Sequence, residues 1–119
     1  MKAIIILNWN GWEDTIECID SLFNAKGNYF IILVDNGSTD TSVDNIVDFF
    51  NKKDLNYNII LEGNNLNHFP SDREVILYKL NHNYGFARGN NMALELIKNY
   101  MPEWCLFCLL YTSDAADEL

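Results

Sequence analysis

Three short polar clusters in this chain carry side chains able to hold a ligand. Asn8-Trp9-Asn10-Gly11 sets an indole between two amides. Asp35-Asn36-Gly37-Ser38-Thr39-Asp40 sets a carboxylate beside an amide and two hydroxyls, and Asn83-Tyr84-Gly85-Phe86-Ala87-Arg88-Gly89-Asn90-Asn91 carries a guanidinium among glycines and amides. Amides and carboxylates hydrogen-bond the polar edge of a ligand, an indole covers a flat apolar face, and a guanidinium neutralises an anion. Each cluster also has a plainer reading. Trp9 could be a core aromatic at a strand end, residues 35–40 a well-capped strand-to-helix turn, and Arg88 a solvated arginine on a helix surface.

Other chemistry-bearing residues point to less. Cys105 and Cys108 have C-x-x-C spacing, but in an apolar run late in the chain rather than at a helix start after a first strand, which argues against redox or zinc chemistry. With Cys18 they make an odd, widely spaced set of three, unlike a secreted disulfide framework. His68 and His82 stand in loops with no matching ligand pair, so they read as loop histidines rather than metal ligands.

The elements that must position the clusters follow from the apolar pattern. Lys2 to Leu7 and Tyr29 to Val34 are continuous apolar runs, as expected of strands buried on both faces of a parallel sheet. After the first, Ile16, Ile19 and Leu22 or Phe23 recur at helical spacing from Glu13 onward. After the second, Val43, Ile46, Val47 and Phe50 share one helix face behind Asp40 or Thr41 as cap. Asn56 to Leu61 and Glu74 to Leu80 read as shorter strands across the loop 62–72. Ala87, Leu94, Ile97 and Met101 predict a helix ended by Pro102, and Trp104 to Phe107 begins one more strand. Trp12 and Trp104 are expected in the core. This order implies an α/β fold with a mostly parallel sheet flanked by helices, and ligands in such sheets bind at the carboxyl ends of strands, where the first two clusters fall.

Composition narrows the function classes. Hydrophobic residues make up 49% of 119, enough for one packed core in a single small domain. Seventeen acidic against eight basic residues, a net charge of -9, argue against a nucleic-acid partner and require any phosphate site to be local. No stretch approaches the ~18 apolar residues of a membrane span, and residues 2–7 are too short for a signal-peptide core. A cytoplasmic location is expected, with the inner face of the membrane as the alternative address. Residues 108–119 read as the forward translation of a transposase adapter used in preparing sequencing libraries, so native sequence is expected to be residues 1–107.

The three motifs, Ile4-Ile5-Ile6-Leu7-Asn8-Trp9-Asn10-Gly11, Val34 to Asp40 and Asn83 to Asn91, occur in that order and together resemble family 2 glycosyltransferases, especially their rhamnosyltransferase-like branch. The likeness covers nearly everything from Lys2 to Phe107. It implies a GT-A, Rossmann-like fold, with residues 1–107 as the nucleotide-sugar-binding half of such a domain. It implies a nucleotide-diphosphate sugar donor, and transfer to a hydroxyl of a glycan or lipid-linked acceptor, usually with inversion and in cell-surface polysaccharide synthesis. The activity would be of hexosyltransferase type.

By that resemblance the donor site would comprise Asn8, Trp9, Asn10, Asp35, Asn36, Gly37, Ser38, Gly85, Arg88, Gly89 and Asn90. A base needs a flat apolar contact and a group pairing with its edge, which Trp9 beside Asn36 or Asp35 offers; Asp35 is the better ribose acceptor. Relatives with a carboxylate where Asn36 stands use it on the base, so the amide here leaves the base open. Arg88 would neutralise a diphosphate oxygen, although many relatives carry a small residue there. The family usually holds a divalent cation, Mg or Mn, on a D-x-D pair after the strand that begins at Trp104. Asp114 and Asp117 have the wrong spacing for it, and the general base also lies further on in relatives, so this chain is expected to lack transferase activity.

Two enzyme rivals fit less well. A dinucleotide-binding oxidoreductase needs G-x-G-x-x-G in its first turn, where residues 8–14 have one glycine, and a sugar nucleotidyltransferase needs a glycine-rich basic loop there. The alternative of another class is a non-catalytic nucleotide- or carbohydrate-binding module.

Overall fold

The computed structural model describes residues 1–100, 102 and 104–108. Strands and helices follow one another as β1 (Lys2–Asn8), α1 (Trp12–Leu22), β2 (Tyr29–Asn36), α2 (Ser42–Lys52), β3 (Tyr57–Leu61), β4 (Val75–Leu80), α3 (Phe86–Ile97), a 3-10 turn (Lys98–Tyr100) and β5 (Trp104–Cys108). The five strands form one sheet in the order β3-β4-β2-β1-β5, every pair parallel. This is the α/β parallel-sheet architecture, flanked by helices, of the GT-A, Rossmann-like class that the sequence implies. All strand-to-helix loops therefore leave from one edge of the sheet.

The apolar runs explain the layering. β2 is buried at all eight positions because it is central and covered on both faces. One face packs Ile4, Ile6, Ile31 and Leu33 against Ile19 of α1 and Ile46 and Phe50 of α2. The other packs Ile5, Phe30, Ile32 and Val34 against Ala93 and Ile97 of α3. Fully burying a side chain such as Ile46 or Phe50 stabilises by about 1.5–3 kcal/mol, so α2 is held mainly by this stripe. Thr41 is the α2 N-cap residue, and Asp40 supplies the side chain, accepting the Ser42 N–H at 2.8 Å.

β3 and β4 are joined by the loop 62–74 without a helix. Leu66 of that loop is buried under the α3 layer, and its carbonyl accepts the Tyr100 hydroxyl at 2.5 Å.

Two expectations need correction. Trp104 is 68% exposed rather than in the core, because among the described residues β5 pairs with β1 alone and stands at the sheet edge. On α3, Ile97 is buried and Leu94 packs on the core as expected, but Gly89, Asn90 and Ala93 complete the inner face and Ala87 faces solvent. The α-helix ends at Ile97, and Met101 lies outside the described residues. Of residues 108–119, Cys108 closes β5 and 109–119 lie outside the described residues.

Candidate functional site

The register of β1 and β2 pairs Asn8 with Asp35, so the first two polar clusters leave the sheet side by side. Both residues are 1% exposed. Asn8 Nδ2 donates to Asp35 Oδ1 at 3.0 Å and to Ser38 Oγ at 3.2 Å, while Asn8 Oδ1 accepts the buried Thr15 hydroxyl at 2.7 Å. Ser38 Oγ donates to Asp35 Oδ1 at 2.6 Å and accepts the Asn10 N–H at 3.0 Å; Ser38 N donates to Asp35 Oδ2 at 3.2 Å. One donor and two acceptor sites on a serine hydroxyl are thereby all used.

Asn10 extends the same seam. Its backbone is left-handed, φ 49°, which asparagine tolerates better than most residues. Its Oδ1 accepts the N–H groups of Thr39 at 2.8 Å and Asp40 at 3.2 Å, and its Nδ2 donates to Thr39 Oγ1 at 3.1 Å. Between these anchors Trp9 is 50% exposed, so it is not a core aromatic; its indole stands at the rim.

Asn36, one residue after Asp35, points to the other face of the sheet and is equally buried. Its Nδ2 donates to Asn83 Oδ1 at 3.1 Å and to the Gly85 carbonyl at 3.2 Å, and its Oδ1 accepts the Tyr84 N–H at 3.1 Å. Both amide hydrogens are thus committed to the loop between β4 and α3. Gly37 lets that loop approach: its φ is 73°, and a Cβ there would lie 2.7 Å from the Asn83 nitrogen. The glycine here serves chain-on-chain contact.

The third cluster divides. Gly85, with φ 86°, is the residue before α3. Gly89 is buried where a Cβ would meet Leu7 Cδ1 at 2.6 Å and Asn36 Nδ2 at 3.3 Å, so the glycine sets how closely α3 approaches the strand tips. Asn90 is 6% exposed and its Nδ2 donates to the Phe86 carbonyl at 3.1 Å, within the helix. Arg88 is exposed, with its guanidinium carbon 4.7 Å from the Tyr84 ring centroid.

Residues that the sequence did not single out support the rim. Thr15 anchors Asn8, one turn into α1. The Tyr84 hydroxyl donates to Glu62 Oε2 at 2.9 Å, and Asn81 donates to Glu62 through its N–H at 3.1 Å and its Nδ2 at 3.3 Å. The Asn81 N–H, with help from Tyr84, His82 and the Asn81 amide, lowers the Glu62 pKa, and the bond to Glu62 raises that of Tyr84. Tyr84 was visible as part of its motif; Glu62, in a different loop, had no local signal.

The remaining titratable groups lie elsewhere. His68 Nε2 contacts the buried Glu74 carboxylate at 2.6 Å, and Glu74 also accepts Asn58 Nδ2 at 2.8 Å and the Ser71 N–H at 3.0 Å. Burial pushes the Glu74 pKa up, but the Ser71 N–H and the His68 and Asn58 bonds outweigh it and leave the carboxyl below its ordinary value. Cys105 and Cys108, three apart on a strand, point to opposite faces; Cys108 Sγ instead lies 3.2 Å from Cys18 Sγ. Burial first, then Cys108, raise the Cys18 thiol to about 12. A cavity of about 430 Å³ lies outside β3, lined by Asn58, Ile60, Asn64 and His68 among others, and includes none of the rim residues.

Among the described residues no three His, Cys, Asp or Glu side chains converge as a cation site, and Asp35 already accepts three hydrogen bonds from its own neighbours. They do not fit the divalent cation that the resemblance implies. No helix among them is long and apolar enough to cross a membrane.

The family model for glycosyl transferase family 2 matches residues 3–108. No curated protein and no solved structure matches. A match across both halves of the parallel sheet, including all three clusters at its carboxyl edge, establishes that the chain belongs to glycosyl transferase family 2.

Proposed function

We propose that the rim made by the β1, β2 and β4 loops holds the nucleotide diphosphate of a sugar donor. The family supports glycosyltransferase activity in general, and with it a nucleotide-sugar donor and an acceptor. The observation that carries the reading is the Asn8–Asp35 register, which brings an exposed indole and a hydroxyl-rich loop to one edge of the sheet. Trp9 would cover the base. Asp35 Oδ2, with a single bond from Ser38, keeps a lone pair for a ribose hydroxyl. Asn36 has no free amide hydrogen, so in this reading it shapes the site rather than pairing with the base. Arg88 would meet the diphosphate as a planar, fully charged donor.

In the same reading the reaction follows the family. The acceptor hydroxyl oxygen attacks the anomeric carbon while its proton passes to a general base, which lies further along the chain in relatives; the bond to the diphosphate breaks with its electron pair going to the phosphate oxygen, and configuration inverts. The rhamnosyltransferase-like branch, hexosyl transfer and a cell-surface polysaccharide acceptor are the finer assignments we favour, on the strength of the three ordered motifs. The described residues bind and orient; a buried Asp35 committed to three internal bonds is not a general base.

Calorimetric titration with UDP, dTDP and GDP tests this. At least one should bind, and Trp9→Ala should weaken it about tenfold, the size of a lost base–aromatic stack. Because Trp9 is half exposed, the substitution leaves the core intact. Failure of all three ligands to bind, or equal binding by parent and Trp9→Ala, ends the proposal.

A further inference from the structure

We propose that Tyr84 is a positioning residue for Arg88, its ring serving as a fixed platform that aims the guanidinium at the donor diphosphate. This rests on the nucleotide reading above and adds a residue that neither the motif nor the family match assigns. An exposed arginine in the first turn of a helix has many rotamers, and ordering it on binding subtracts from affinity. Here the guanidinium is already stacked on a ring, 4.7 Å from its centroid. Among the described residues no carboxylate forms an ion pair with it, so its N–H groups are not spent on a neighbour.

The platform is fixed at both ends. At the backbone, Tyr84 N–H donates to Asn36 Oδ1, which belongs to the buried β2 tip. At the far end the hydroxyl donates to Glu62 Oε2. Glu62 contacts the same tyrosine as Arg88, and its oxygens are taken by Asn81, which holds both, and by Tyr84, which holds one. The carboxylate thus holds the ring and forms no ion pair with the guanidinium. His82 adds an edge contact to the same ring, with centroids 5.8 Å apart.

A double-mutant cycle by calorimetry tests the idea, using the best-bound of UDP, dTDP and GDP and its parent nucleoside. Arg88→Ala should weaken the diphosphate about tenfold or more, as loss of a charged hydrogen bond does, and leave the nucleoside unchanged. Tyr84→Leu should weaken the diphosphate about two- to fivefold, the size of an exposed cation–π contact, again sparing the nucleoside. In the Arg88→Ala background Tyr84→Leu should have no further effect, and Tyr84→Phe, which keeps the ring, should restore most of the loss. Equal weakening of nucleoside and diphosphate by Tyr84→Leu, or additive effects in the cycle, overturns the positioning role. If Tyr84→Leu does not fold, Tyr84→Met, an unbranched residue that adapts to varied surroundings and also removes the ring, takes its place in the same cycle with the same deciding outcomes. A parent chain that binds none of the three diphosphates sinks the site reading itself, whereas a parent that binds with an inert Tyr84 sinks only this inference.

Discussion

Successive side chains on a strand leave by opposite faces, so Asp35 and Asn36 do different work although they are neighbours. Asp35 gathers Asn8 and Ser38 on the α1 side, and Asn36 gathers Asn83, Tyr84 and Gly85 on the α3 side. Gly37 then permits the second arrangement. Gly37→Ala should destabilise the fold by about 2–4 kcal/mol, combining left-handed strain with a backbone clash. Gly63→Ala is the control, since its φ is 91° but nothing lies within 4 Å of a Cβ there, leaving a cost of about 1–2 kcal/mol. Urea unfolding measures both, and equal losses would refute the close approach. Glu74 provides a pH test. Its carboxyl is depressed on folding, so the stability it contributes is present above the unfolded value of about 4.3 and lost as pH falls through the lower folded one. The urea midpoint should drop on acidification below about pH 4.5, and Glu74→Gln should flatten part of that drop; an unchanged slope would show that the carboxylate is not held as described.

Elements were legible where burial is apolar and illegible where it is not. The stripe of α2 and the solid run of β2 can be read from residue types alone, and Ile46 and Phe50 are fully buried. The inner face of α3 adds Gly89, Asn90 and Ala93 to the expected Ile97 and Leu94, and because those three are small or polar the periodicity of larger residues showed only part of it. Trp104 misled for a related reason: its type suggests a core, but strand order, which puts β5 at the edge, is a long-range property. The site was legible as clusters at strand tips. That its buried members would hydrogen-bond one another was not, since this depends on register and on which face each side chain takes. The other edge, β3, exposes Ile59 at 47% and Leu61 at 52%, two residues on one face of an unpaired ladder. Such an edge invites pairing between copies. Sedimentation should show concentration-dependent association of the parent that is reduced by Ile59→Lys with Leu61→Lys; persistence in the double variant would move the contact elsewhere.

At the scale of the molecule, charge and topology act together on the rim. A net charge of -9 repels a diphosphate at long range, so under the proposed function its capture would depend on a cation set close to the ligand and kept from the surrounding acids. Lys52, Lys53 and Lys98 each pair with an acid, and Arg73 pairs with Asp72, which leaves Arg88 the exception among the described arginines. The buried β2 strand carries a loop from each side of the sheet on two adjoining residues. It is the common axle of the rim: the grip on Ser38 and the grip on Tyr84 spring from residues separated by one peptide plane, so the spacing of the two loops is fixed by the strand that both hold.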